Sequence, residues 1–141
     1  MSNTIHIQQI QEQQLTLEEA KSLTILFQGE AYTYYDEGLS RFVFVNKDKT
    51  QVVKLQFLES AKWNEEENNI YLNSSLDDKK YLAKTELVDG FIVQEFCEPQ
   101  KFRKTPLSIP EMLFANSCRG EVGWNKEGRL VCFDLDEYKK W

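Results

Sequence analysis

Arg41-Phe-Val-Phe-Val-Asn-Lys-Asp-Lys-Thr-Gln-Val-Val-Lys-Leu-Gln-Phe57 decides how this chain folds. Two runs rich in Val and Phe flank Asn46-Lys-Asp-Lys49, a polar stretch with turn chemistry. Such runs predict two antiparallel strands joined by a short turn. Side chains alternate along a strand, so Lys54 shares a face with Val52 and Gln56, and Val53 and Leu55 take the other. A lysine among valines suits an edge strand, where its charge blocks unwanted pairing. A partnered lysine in the body of a sheet is the other reading.

Working outward, Ala31-Tyr-Thr-Tyr-Tyr35 predicts a preceding strand, turned at Asp36-Glu-Gly-Leu39, so that three strands form a meander. Before it, Thr16-Leu-Glu-Glu19 is a capping-box pattern. Leu17, Ala20, Leu23, Ile25 or Leu26, and Phe27 continue at helical spacing up to Gly29, which predicts a helix over 17–28. Residues 3–10 alternate loosely and suggest a short strand or arm.

Downstream, residues 59–74 return to helical spacing. Trp63, Glu67, Ile70, Tyr71 and Ser74 fall on one stripe, which turns Glu67 inward and leaves Glu65 and Glu66 to water. A carboxylate on the buried side needs a partner, unless it only serves the helix dipole. Leu82–Leu87 and Phe91–Phe96 predict two more strands, turned at Val88-Asp-Gly90. Pro99, Pro106 and Pro110 mark a loop-rich region with a short helix around 110–116. A closing hairpin over 122–136 turns at Lys126-Glu-Gly128 and ends on Asp134 and Asp136. The pattern predicts one α+β domain over 1–141: an N-terminal arm and helix (1–29), a strand-rich body (30–97) and a short remainder (98–141).

The chain has 141 residues, 41% of them hydrophobic, enough for a core. No run approaches the roughly 18 apolar residues of a membrane span, and the first residues lack a signal-peptide pattern. A cytoplasmic protein is expected. The three cysteines, Cys97, Cys118 and Cys132, are far apart and odd in number, which predicts reduced thiols. With no CxxC and one histidine, neither a zinc site nor a Cys/His nucleophile pair is expected. The net charge of −6 disfavours direct nucleic-acid binding, since phosphate contacts need clustered Lys and Arg. Lys101, Arg103 and Lys104 form a short basic loop.

In order along the chain stand a turn between strands, a strand lysine (Lys54), a helix glutamate (Glu67) and a strand-end aspartate (Asp134). In this order the chain resembles the protein-kinase-like fold and is most similar to small bacterial and phage kinase-like proteins. Gly38-Leu-Ser-Arg-Phe-Val-Phe44 matches the phosphate-covering hairpin, Val52-Val-Lys54 the lysine strand and Asn64-Glu-Glu-Glu67 the helix bearing the pairing glutamate. Phe91-Ile-Val-Gln-Glu-Phe-Cys97 matches the strand into the hinge, and Gly128-Arg-Leu-Val-Cys-Phe-Asp-Leu135 the metal hairpin. The resemblance implies an antiparallel sheet of about five strands with a packed helix, a C-terminal hairpin and a strongly reduced C-lobe. It implies Lys54 and Glu67 as a phosphate-side pair, Gln94 as gatekeeper, Glu95 to Cys97 as hinge, and Asp134 as metal ligand.

The chemistry departs from that pattern. Asn116 stands where the catalytic base belongs, and an amide accepts a proton far less readily than a carboxylate. Glu121 stands at the second metal position, and Asp136 follows Leu135 where glycine is usual. The covering turn has a single glycine, Gly38, beside Asp36 and Glu37. Few residues separate Cys97 from Asn116, and the chain ends at Trp141, so no activation segment or peptide platform is expected. The resemblance thus implies a catalytically degenerate protein, with no required cofactor, that binds a host or partner protein with a basic surface. Tyr32, Tyr34, Tyr35, Trp63 and Trp141 are candidate anchors, about half of them expected in the core. One alternative is a minimal phosphotransferase using ATP and Mg²⁺ through Lys54, Glu67, Asp134 and Glu121. A second is an unrelated acidic α+β interaction domain.

Overall fold

The structure is a computed structural model that describes residues 3–6, 16–37, 41–56, 62–100 and 122–133. Strand β1 (Asn3–His6) precedes helix α1 (Leu17–Ser22), and strands β2 (Leu23–Phe27), β3 (Glu30–Glu37), β4 (Arg41–Asn46) and β5 (Gln51–Gln56) follow. Helices α2 (Trp63–Asn73) and α3 (Leu76–Lys79) come next, then strands β6 (Thr85–Val88), β7 (Phe91–Glu95), β8 (Glu98–Gln100), β9 (Val122–Trp124) and β10 (Leu130–Cys132). The fold is α+β. One sheet has seven strands in the order β1-β2-β3-β4-β5-β7-β6, and a second has three, β10-β9-β8.

The sheet is larger than the five antiparallel strands expected, and it is mixed, because β1 pairs parallel to β2. Of the two added strands, β1 comes from the N-terminal arm and β2 from the segment read as a helix over 17–28. Thr16 caps α1 as expected: its Oγ1 accepts from the Glu19 N–H at 3.1 Å, and its own N–H donates to Glu19 Oε1 at 3.0 Å. The helix nevertheless stops at Ser22. Leu23, Ile25 and Phe27 are buried while Thr24 and Leu26 are half-buried, a period of two. Gln28 (φ 50°) and Gly29 (φ 78°) both take the left-handed region, as the central pair of a type I′ hairpin turn does. Gly29 therefore turns a hairpin rather than ending a helix, and β2 pairs with β3.

The meander at 30–56 follows expectation, with one irregularity: a register shift between Tyr34 and Asp36 leaves Tyr35 as an extra residue in β3. Residues 98–100, read as loop, form β8, which joins the closing hairpin as a third strand against β9. Asp77 and Asp78 lie beyond the end of α2, in the short helix α3. Ser75 caps a further turn, α3, by accepting from the Asp78 N–H at 3.1 Å. The helix expected near 110–116 and the hairpin beyond 133 lie outside the described residues.

The sheet curls around one apolar face. Ile25, Tyr32, Phe44, Val53 and Val93, with Ala20 of α1, form one buried cluster. Each fully buried large apolar side chain contributes roughly 1.5–3 kcal/mol, so this cluster is the main source of stability. The second sheet packs separately: Leu82, Val122, Leu130 and Cys132 gather against Ile70 and Tyr71 of α2. Backbone bonds tie β10 to the segment leading into β6, from Ala83 N–H to Cys132 O (2.7 Å) and from Cys132 N–H to Tyr81 O (2.8 Å). Among the described residues no helix is long and apolar enough to cross a membrane.

Cys97 is a free, buried thiol, whereas Cys132 is disulfide-bonded. This corrects the expectation of reduced thiols throughout; wide spacing in sequence does not limit how close two cysteines come in the fold.

Candidate functional site: a buried carboxylate shared by three strands

Lys54 lies near the middle of the seven-stranded sheet, because β5 pairs with β4 on one side and β7 on the other. It does not stand on an edge strand, so the gatekeeper reading fails. Directly opposed residues of antiparallel strands share a face. Lys54 opposes Val43 on β4 and Ile92 on β7. Arg41 therefore sits diagonally from Lys54 on one flank and Gln94 on the other, all on the face opposite the apolar cluster. Helix α2 covers this face and lowers Glu67 onto it.

Glu67 is 1% exposed and Lys54 is 4% exposed. The Lys54 ammonium donates to Glu67 Oε2 at 2.9 Å and to Oε1 at 3.2 Å. Its third contact is the carbonyl oxygen of Phe133, 2.6 Å away, just past β10. A lysine ammonium has three N–H donors, and these three acceptors engage them. Arg41 Nη1 also donates to Glu67 Oε1 and reaches Asn64 Oδ1 at 3.3 Å. Gln94 Nε2 donates to Glu67 Oε2 and to Thr85 Oγ1, both at 2.9 Å. Asn64 Nδ2 bonds two backbone carbonyls, Lys54 O at 3.2 Å and Gly90 O at 2.9 Å, which ties α2 to β5 and to the β6–β7 turn.

Burial alone would push the Glu67 carboxyl up. The charges of Lys54 and then Arg41, with their hydrogen bonds, more than offset it and hold the group below its ordinary value. Glu67 is thus an anion at neutral pH, clamped by donors from three neighbouring strands. A fixed, saturated ion pair of this kind positions elements well. It has little capacity for proton transfer, because its carboxylate is far from the pKa of a general base at neutral pH.

Among the other residues singled out from the sequence, Glu95 accepts from the Lys84 N–H at 2.7 Å, which fastens the start of β6 to the end of β7. Cys97 lies where β7 passes into β8; burial, then the Glu95 charge, push its thiol up to about 12, against an opposing influence of Lys54. It is therefore a protonated core residue rather than a nucleophile. Asn116, Glu121 and Asp134 lie outside the described residues. Among the described residues no three His, Cys, Asp or Glu side chains group as metal ligands would.

Sequence reasoning placed Arg41 in a strand and Asn64 in a helix without joining either to the centre. Two signals point to them. Asn64 precedes Glu67 by three, so the two share a helix face. Arg41 falls on the Lys54 face once the 46–50 turn fixes the hairpin register. Of the candidate anchors, Tyr32 is buried, Tyr34 and Trp63 are half-buried and Tyr35 is exposed, while Trp141 lies outside the described residues. Trp124, not singled out, is exposed.

No protein family, no curated protein and no solved structure matches the chain.

Proposed function

We propose that the chain is a catalytically degenerate kinase-like domain that acts by binding a protein with a basic surface, its lysine–glutamate pair retained for architecture. The observation that carries this reading is the state of Lys54. Its three donors are taken by Glu67 and the Phe133 carbonyl, inside a centre that excludes water. A phosphate would have to displace one of these partners.

Two features favour kinase-like ancestry. The strand order β3-β4-β5-β7-β6, with α2 between β5 and β6, sets the strand leading toward Cys97 beside the lysine strand. Lys54 also reaches Phe133, the residue before Asp134, as expected of a lysine facing a metal hairpin. The net charge of −6 favours a basic partner surface.

A thermal-shift titration with ATP and Mg²⁺ tests the reading. A ligand at ten times its Kd adds about 1.4 kcal/mol, or roughly 5 °C in a domain of this size. No shift at millimolar nucleotide is expected. A shift of that size, abolished in Lys54→Met, would favour the alternative: a minimal nucleotide-binding phosphotransferase using Lys54, Glu67 and Asp134. An experimental structure with Asp134 remote from Lys54 would favour an unrelated acidic α+β interaction domain instead.

A further inference from the structure

Among the described residues four large apolar side chains are exposed: Tyr35 (37%), Leu72 (57%), Leu76 (84%) and Trp124 (44%). The two aromatic ones are both connected to one carboxylate. Glu98 on β8 stands directly opposite Trp124 on β9, and opposed residues of an antiparallel pair project from the same face with Cβ atoms about 5 Å apart. Tyr35 is the extra residue of the β3 bulge. Its ring is held edge-on against Phe96, with centroids 5.5 Å apart and planes at 81°. Phe96 lies two residues before Glu98. Burial first, then the charges of Asp36 and Glu98, hold the Tyr35 hydroxyl above its ordinary value. Glu98 is exposed and has no ion-pair partner among the described residues.

We propose that Tyr35, Glu98 and Trp124 form a receptor for an arginine side chain presented by a basic partner protein. A guanidinium is planar, accepted edge-on by a carboxylate and face-on by an aromatic ring. An apolar partner would leave Glu98 unpaired, and a bare acidic surface would not need two exposed rings. The surface supplies both halves of arginine recognition with one residue, Glu98, linked to each ring. The inference rests on the partner-binding reading and names the chemistry of that partner.

The test uses calorimetry on the full chain with two short peptides identical except that one carries arginine and the other neutral, isosteric citrulline. The arginine peptide is expected to bind about tenfold more tightly. Glu98→Gln should weaken it about three- to tenfold with the thermal midpoint unchanged, and Trp124→Ala should do the same. Glu65→Gln, an exposed acid on α2, should leave it unaffected. Equal binding of the two peptides, no binding at millimolar concentration, or equal losses in Glu98→Gln and Glu65→Gln would each overturn the proposal. So would a self-associating chain that becomes monomeric in Trp124→Ala, which assigns the surface to a second copy. A nucleotide-induced shift together with intact arginine preference would remove the parent reading and leave the receptor standing. Silence to nucleotide with no arginine preference would do the reverse.

Discussion

Replacing Lys54 with methionine keeps the length of the side chain and deletes its charge. The consequence can be worked from the contacts. Glu67 would keep Arg41 as a donor to Oε1 and Gln94 as a donor to Oε2. It would lose the charge paired across 2.9 Å, and the Phe133 carbonyl would lose the donor 2.6 Å away. Removing one member of a buried ion pair costs about 3–5 kcal/mol. Leaving a buried carbonyl without a donor costs about 1–3 kcal/mol, and the half-buried Phe133 carbonyl falls at the low end of that range. The donors retained by Glu67 offset part of the first figure, so the expected loss is about 3–5 kcal/mol in total. With a urea m-value near 2 kcal/mol/M, the unfolding midpoint should fall by about 2 M. Equilibrium urea denaturation followed by circular dichroism measures this. A midpoint within about 0.3 M of wild type at unchanged m would refute the assignment of Lys54 to the architecture. A lysine kept only for a ligand would give that result.

Glu67 has a folded pKa below its unfolded value of about 4.5. Its contribution to stability is therefore complete above that pH and is lost as pH falls through the folded pKa. Urea midpoints should decline between pH 5 and pH 3, and Glu67→Gln should flatten that decline while lowering stability at pH 7. Gly123→Ala should destabilise by about 1–3 kcal/mol in the same assay, because an added Cβ would lie 2.5 Å from the Glu98 carbonyl oxygen, and that oxygen is backbone. Cys97, with its thiol pushed up to about 12, should resist alkylation at pH 8 in the folded protein and react after denaturation. Because Cys132 is disulfide-bonded, a thiol count in denaturant without reductant should fall short of the three cysteines present.

The central meander was legible because its Val- and Phe-rich strands alternate cleanly and its turns are polar. Lys54 and Glu67 stood out for the same reason, a charge at a position whose neighbours are buried. The segment 17–28 was not legible as two elements. Leu23, Ile25, Leu26 and Phe27 satisfy both a helical stripe and a strand alternation, and the capping box argued for the longer helix. What decides the matter is the Gln28–Gly29 turn, which lets β2 pair with β3 over Thr24–Phe27. That pairing is between segments, and no local propensity reports it. Strand β8 was hidden by Pro99, which reads as a breaker. On the described pairing it lies in a strand bonded to β9 alone, a position a residue without an N–H tolerates. Arg41 was hidden because its role depends on hairpin register, which the sequence implies only once both strands and their turn are accepted together.

The arrangement around Glu67 explains why a charged centre persists where an apolar one would serve stability as well. Buried ion pairs are often no more stabilising than well-packed hydrophobic residues. The apolar cluster on the far side of the sheet already supplies the bulk of the folding energy. What the carboxylate adds is position. Arg41, Lys54 and Gln94 come from three successive strands and meet on two oxygens, while Asn64, one helical turn earlier, bonds the backbone of β5 and of the β6–β7 turn. A slip of one residue in any of these strands would turn its donor to the other face, and a slip of α2 would move the acceptor. The same lysine then reaches Phe133 and so ties the seven-stranded sheet to the end of β10. One carboxylate therefore reports the register of three strands and one helix, and its lysine carries that register to the second sheet. This work needs no substrate, so architecture alone accounts for the pair, and any activity has to be argued from other residues.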